Sequence, residues 1–207
     1  MPRVPGCDDG GVSKELAAAL PVVAREIEEF VAGGGWDQPV QLFALVPTAA
    51  LLAAEPSMVS RIDAAAPLTP IAQEPLAEPE LDVALAGIAW PDEVSGCVVV
   101  QEIVVLPPGA EAELAAGEAT EVGHAEDGGT EDGGTAGGGT EDGAVLARLV
   151  ASHPSRREAR VVAAVLRDGP GACVLRLRGG EDVLEEVVEH PDLAPNLLDA
   201  LRRTFAP

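Results

Sequence analysis

Between Glu158 and Gly179 the chain reads EARVVAAVLRDGPGACVLRLRG, two runs rich in β-branched residues separated by Asp168-Gly169-Pro170-Gly171. A break of Gly and Pro between two such runs closes a hairpin. Pairing Arg167 with Ala172 sets Leu166 opposite Cys173, Ala164 opposite Leu175 and Val162 opposite Leu177, which makes one apolar face. In that register the other face carries Val161, Val165 and Val174 together with Arg167, Arg176 and Arg178. The hairpin therefore demands a cover for its apolar side, and the remaining segments have to supply it.

Leu16, Leu20, Val23, Ile27, Phe30 and Val31 recur at spacings of four and three, the stripe of an amphipathic helix with Ser13 placed to cap it. Pro21 either kinks this helix or opens it, and Gly33-Gly34-Gly35 ends it. Val40 to Val46 has the length and composition of a strand. Thr48 begins a short helix that stops before Pro56, and Met58 to Ile62 fits a further helical turn. Leu68 to Glu74 lies among prolines and can serve only as an edge strand. Glu80 to Trp90 has helical spacing up to Pro91. Gly96 to Pro108 contains CVVVQEIVVL, apolar on both faces and hence central in a sheet. Ala144 to Ser152 reads as a short helix, Glu181 to Glu189 as an acidic turn or short helix, and Leu193 to Phe205 as a closing helix with Arg202-Arg203 at its end. These segments predict an α+β fold. After a tail at 1–12, one domain over 13–207 holds a mixed or antiparallel sheet of four to five strands, built from 40–46, 97–106, 160–167 and 172–178. Helices at 14–32, 80–89, 144–152 and 193–205 flank it.

From Glu111 to Gly143 the character changes. EDGGT recurs with a five-residue period, and 118–143 has too little apolar surface to offset the entropy of ordering, so a disordered acidic, Gly-rich insertion is expected. Its Asp and Glu residues meet neither the nonapeptide calcium repeat nor the EF-hand template. Charge is distributed unevenly. Residues 1–108 hold 16 acids and 4 bases, 111–143 hold 10 acids and no base, and 144–207 hold 9 of each, which together give the net charge of -22. Such a chain repels nucleic acid and anionic lipid, so neither is an expected partner. No run approaches the ~20 apolar residues of a membrane span. Cys7, Cys97 and Cys173 are far apart, with no CxxC and no secretory signal near Met1, which argues for a reducing cytoplasm.

No motif with chemical content is present: no G-x-G-x-x-G after a strand, no phosphate-binding loop, no H-E-x-x-H and no G-x-S-x-G. His124, His153 and His190 are dispersed, so no metal centre and no cofactor are expected. Glu74 and Glu102 are the two carboxylates set in apolar strand-like surroundings, and general acid/base work would require them to be adjacent. Glu102 needs a partner in a central strand, and the hairpin arginines are the candidates. Arg156, Arg157 and Arg160 precede the hairpin, and Arg167, Arg176 and Arg178 project from it. Guanidinium groups on a half-apolar face can take a carboxylate or phosphate bidentately, or pair with the protein's own acids.

GWDQPVQLFALVPTAALLAAEP, LTPIAQEPL, GIAWPDEVSGCVVVQEIVVLPPGAE, HPSRREARVVAAVLRDG and CVLRLRG together resemble a family of uncharacterised actinobacterial proteins named after a propionibacterial locus tag. The resemblance covers nearly all of the chain outside the tail and the EDGGT repeat. It carries no assigned activity and no catalytic residue to transfer, and it implies an accessory role. The expected function is a non-enzymatic cytoplasmic protein that binds a protein partner. The alternative is a small anion-binding protein or small enzyme using Arg167, Arg176, Arg178 and Glu102.

Overall fold

The structure, a computed structural model, describes residues 9–76, 80–106, 156–180 and 184–206. The chain divides into two compact units, residues 1–102 with 160–207 and residues 103–159. Of the second unit the described residues continue two strands; everything below concerns the first. The expected insertion at 118–143 and helix at 144–152 lie outside the described residues.

In chain order the elements are α1 (Asp9–Ala32), β1 (Gln41–Pro47), α2 (Thr48–Ala54), a 3-10 turn (Pro56–Ser60), β2 (Leu68–Ala72), α3 (Leu81–Ala86), β3 (Gly96–Val105), β4 (Arg157–Leu166), β5 (Gly171–Leu177), β6 (Glu186–Glu189) and α4 (Pro195–Arg203). The strands form one antiparallel sheet in the order β2-β1-β3-β4-β5-β6. This is the α+β class that the pattern predicts, with six strands because both edges are short. Glu186–Glu189, which fits a strand template poorly, is an edge strand because β5 offers it a partner: Val174 pairs with Glu189 and Leu177 with Glu186. α1 begins within the expected tail and continues through Pro21, whose ring is exposed.

Helices cover both faces of the sheet. Leu20, Val23, Ile27 and Val31 of α1 pack on Phe43, Leu45, Val98, Val100, Val162 and Val174. On the opposite face Leu198 and Leu201 of α4 and Leu85 of α3 pack on Leu42, Cys97, Val99, Val165 and Cys173. β3 lies between β1 and β4 and alternates between the two clusters, which is why Val occupies both of its faces. Gly96 lets β3 and β4 approach: a Cβ there would stand 2.5 Å from the carbonyl oxygen of Val165.

The hairpin is present, but its register differs from the simple one. Ala172 and Val174 share the α1 face with Val162, Ala164 and Leu166, whereas Cys173 lies on the α4 face with Ala163 and Val165. A shift of one residue transfers a strand's whole side-chain set to the other face. Arg176 therefore turns toward α1, and Arg167 does not accompany it.

Candidate functional site

Helical spacing places Glu28 one residue beyond Ile27, on the shoulder of the buried stripe of α1, and its side chain is 1% exposed. Arg176 comes to it from β5. The Nε and Nη2 of Arg176 donate to the two carboxylate oxygens of Glu28, each at 2.6 Å, so the guanidinium fork is filled bidentately. Its Nη1 donates to Glu185 at 3.0 Å. The hydrogen bonds that Arg176 donates to Glu28 are the largest influence raising the Arg176 pKa above its ordinary value.

Arg160 of β4 is 1% exposed. Its Nη2 donates to Glu102 Oε1 at 2.8 Å and to the Gly35 carbonyl, and its Nη1 lies 3.9 Å from Glu28. Its Nε is buried without a hydrogen-bond partner in the structure. The guanidinium lies over the Trp36 ring, 4.7 Å from the centroid, and that of Arg178 lies 5.3 Å from the same centroid. Trp36 donates its indole N–H to Glu185 at 3.3 Å, and Arg178 stands 3.7 Å from Asp37.

The loop after α1 is shaped for this arrangement. Gly35 (φ 84°) and Asp37 (φ 65°) are both left-handed, a conformation open to Gly and tolerated by Asp. That turn directs the Gly35 carbonyl at Arg160 and lets the Asp37 N–H donate to Glu102 Oε2 at 2.8 Å. Glu102 is thus satisfied on both oxygens. Arg160, Arg176 and Arg178 are thus paired with Glu28, Glu102, Glu185 and Asp37, three cations against four carboxylates, and the cluster fastens the 33–38 loop to the sheet.

Arg167 lies on the opposite face and does different work. Its Nε donates to the Val94 carbonyl at 3.2 Å and its Nη2 to that of Pro91 at 2.7 Å. Its guanidinium lies 4.8 Å over Phe205, which stacks on Trp90 at 6.1 Å, while the Trp90 indole donates to Thr204 at 2.9 Å. Arg167 therefore clasps the loop before β3 to the C-terminal helix. Of the four residues singled out from the sequence, the fold brings Glu102, Arg176 and Arg178 together and separates Arg167. Glu74 is exposed beyond the end of β2. Glu28 and Trp36 escape sequence reasoning, since a carboxylate on a helix shoulder reads as solvated. Only the need of Glu102 for a cation hinted at Arg160.

A second region is apolar. Phe30, expected in the buried stripe, is 73% exposed. Beside it Ile27, Phe43, Pro70 and Ala72 line a groove of about 310 Å3, with Glu26 at its rim. β2 is the last strand on this side, and its α1-side residues Pro70 and Ala72 remain exposed because, among the described residues, no element lies beyond it. Among the described residues no group of three or more His, Cys, Asp or Glu is placed to hold a metal ion, and no helix is long and apolar enough to cross a membrane.

An antiparallel sheet covered by helices on both faces, carrying an arginine cluster paired with the chain's own carboxylates and an open apolar groove, defines an α+β protein. The chain belongs to the PPA1309-like protein family, whose model matches residues 20–206. That family takes its name from a Propionibacterium locus tag. No curated protein and no solved structure matches the chain.

Proposed function

We propose that this protein is a non-enzymatic cytoplasmic module that binds another protein, and that it does so through the groove between α1 and β2. The observation that carries this reading is Phe30, an aromatic side chain 73% exposed beside uncovered apolar residues of the edge strand. Exposed aromatics beside a groove act as anchors in protein interfaces. The rival reading, an anion site at Arg176 and Glu102, needs an open guanidinium fork. Glu28 occupies that of Arg176, and Arg160 engages Glu102.

The test is native purification of the tagged full chain from its host, with co-purifying proteins quantified for the wild type and for Phe30→Asp. The expected result is a protein recovered near stoichiometrically with the wild type and depleted at least tenfold with the variant, the two chains melting at the same temperature. Recovery of the same proteins in the same amounts with both would sink the proposal.

A further inference from the structure

The exposed side of α1 narrows the kind of partner. Val22, Glu26 and Phe30 are spaced by four residues and form one ridge along the helix, with Val22 57% and Phe30 73% exposed. The ridge is apolar at both ends and carboxylate in the middle. Glu26 has no ion-pair partner among the described residues, whereas the neighbouring Glu29 is paired with Arg25, which also reaches Glu189 of β6. Among the described residues no cation lines the groove. An occupant must therefore bring its own positive charge to Glu26, and an acidic segment, or a second copy of this chain docking the same acidic ridge against itself, would meet repulsion.

The backbone decides between strand and helix. Gln73 N–H donates to the Leu42 carbonyl and Thr48 N–H to that of Pro67, so residues 67, 69, 71 and 73 of this edge face β1. Leu68, Pro70 and Ala72 then direct their backbone outward, and Pro70 has no N–H to offer. The middle of the free edge lacks a donor, which opposes strand addition. What remains open is side-chain packing in the groove, which suits a helix laid along α1.

Building on the protein-binding reading, we infer that the ridge and groove take an amphipathic helix of a partner protein. That helix carries two apolar side chains about two turns apart, with a lysine or arginine between them that meets Glu26.

The probe is a displayed library of helix-stapled peptides selected on the full-length protein, with counter-selection on Phe30→Asp. Enriched peptides are expected to carry apolar residues at i and i+7 or i+8 and Lys or Arg between them, and to lack acids there. Their affinity should fall at least tenfold with Glu26→Lys and with Phe30→Asp, while Glu26→Gln costs less and the melting temperature of every variant stays at that of the wild type. Enrichment of acidic or uncharged peptides, or equal binding to Glu26→Lys, overturns the helix inference even if native purification has found a Phe30-dependent partner. A concentration-dependent dimer abolished by Phe30→Asp also overturns it, with a second copy as the occupant. Absence of any Phe30-dependent binder in both experiments removes the protein-binding reading as well.

Discussion

The two shoulders of α1 invert the usual rule for helix burial. Glu28 and Phe30 are two residues apart, about 200° around the helix axis at 100° per residue, and each flanks the stripe of Leu20, Val23, Ile27 and Val31. Yet the carboxylate is buried and the phenyl ring is exposed. The difference lies in what stands next to each shoulder. On the Glu28 side β5 supplies Arg176, β4 supplies Arg160 and the loop carrying Trp36 folds over Arg160 and Arg178. On the Phe30 side the sheet ends at β2, and among the described residues no element follows it. Burial here is set by the extent of the sheet on either side of the helix, and residue polarity is accommodated afterwards, by ion pairing on one side and by an open groove on the other.

Breaking the buried shoulder should have the largest effect. Glu28→Ala leaves Arg176 and Arg160 without their shared carboxylate in a region shielded from water, and removal of one partner from a buried pair costs about 3–5 kcal/mol. Denaturant unfolding should show that loss as a lower midpoint with an unchanged slope. Glu28→Leu combined with Arg176→Met should recover part of it, since an apolar pair of similar volume removes the uncompensated charge. A single Glu28→Ala variant as stable as the wild type would refute the view that this shoulder is held by ion pairing.

The opposite face tests how dry the sheet interior is under α4. Burial pushes the Cys97 thiol up from 9.0 to about 12, with a smaller opposing effect from Thr204. The unfolded chain loses that proton above 9 and the folded chain keeps it until about 12, so the contribution is complete below 9 and declines as pH rises between these values. Wild type should lose roughly 1.4 kcal/mol per pH unit relative to Cys97→Ala in that window. Chemical denaturation at pH 9, 10 and 11 measures it; parallel curves for the two proteins would mean that water reaches the thiol.

The exposed shoulder should show the smallest effect. Phe30→Ser removes an aromatic ring that α1 never buries, so stability should stay within about 0.5 kcal/mol of wild type, far from the 3–5 kcal/mol that truncating a core Phe costs. Thermal unfolding of the isolated protein checks this, and a large loss would mean that Phe30 packs internally.

Pattern recognition carried far here. The stripe ending at Val31, the strands at β1, β3, β4 and β5, and the edge character of the Pro-containing segment at β2 were all legible, because periodicity and proline chemistry are local properties. β6 was not legible, since a run of Glu and Val becomes a strand only when β5 lies alongside it. The hairpin register was not legible either: a one-residue shift leaves both strands as good as before and changes only which face each arginine occupies. That shift sent Arg176 to Glu28 and parted it from Arg167.

The sequence by itself determined an acidic α+β chain, its central strands, the hairpin between Glu158 and Gly179, and the need of Glu102 for a cation. Tertiary structure alone decided that Arg160 meets that need, that Glu28 fills the fork of Arg176, and that Phe30 faces outward. Backbone propensity acts between neighbours in the chain, whereas ion pairing and burial depend on which strand stands beside which helix, and only the assembled sheet sets that.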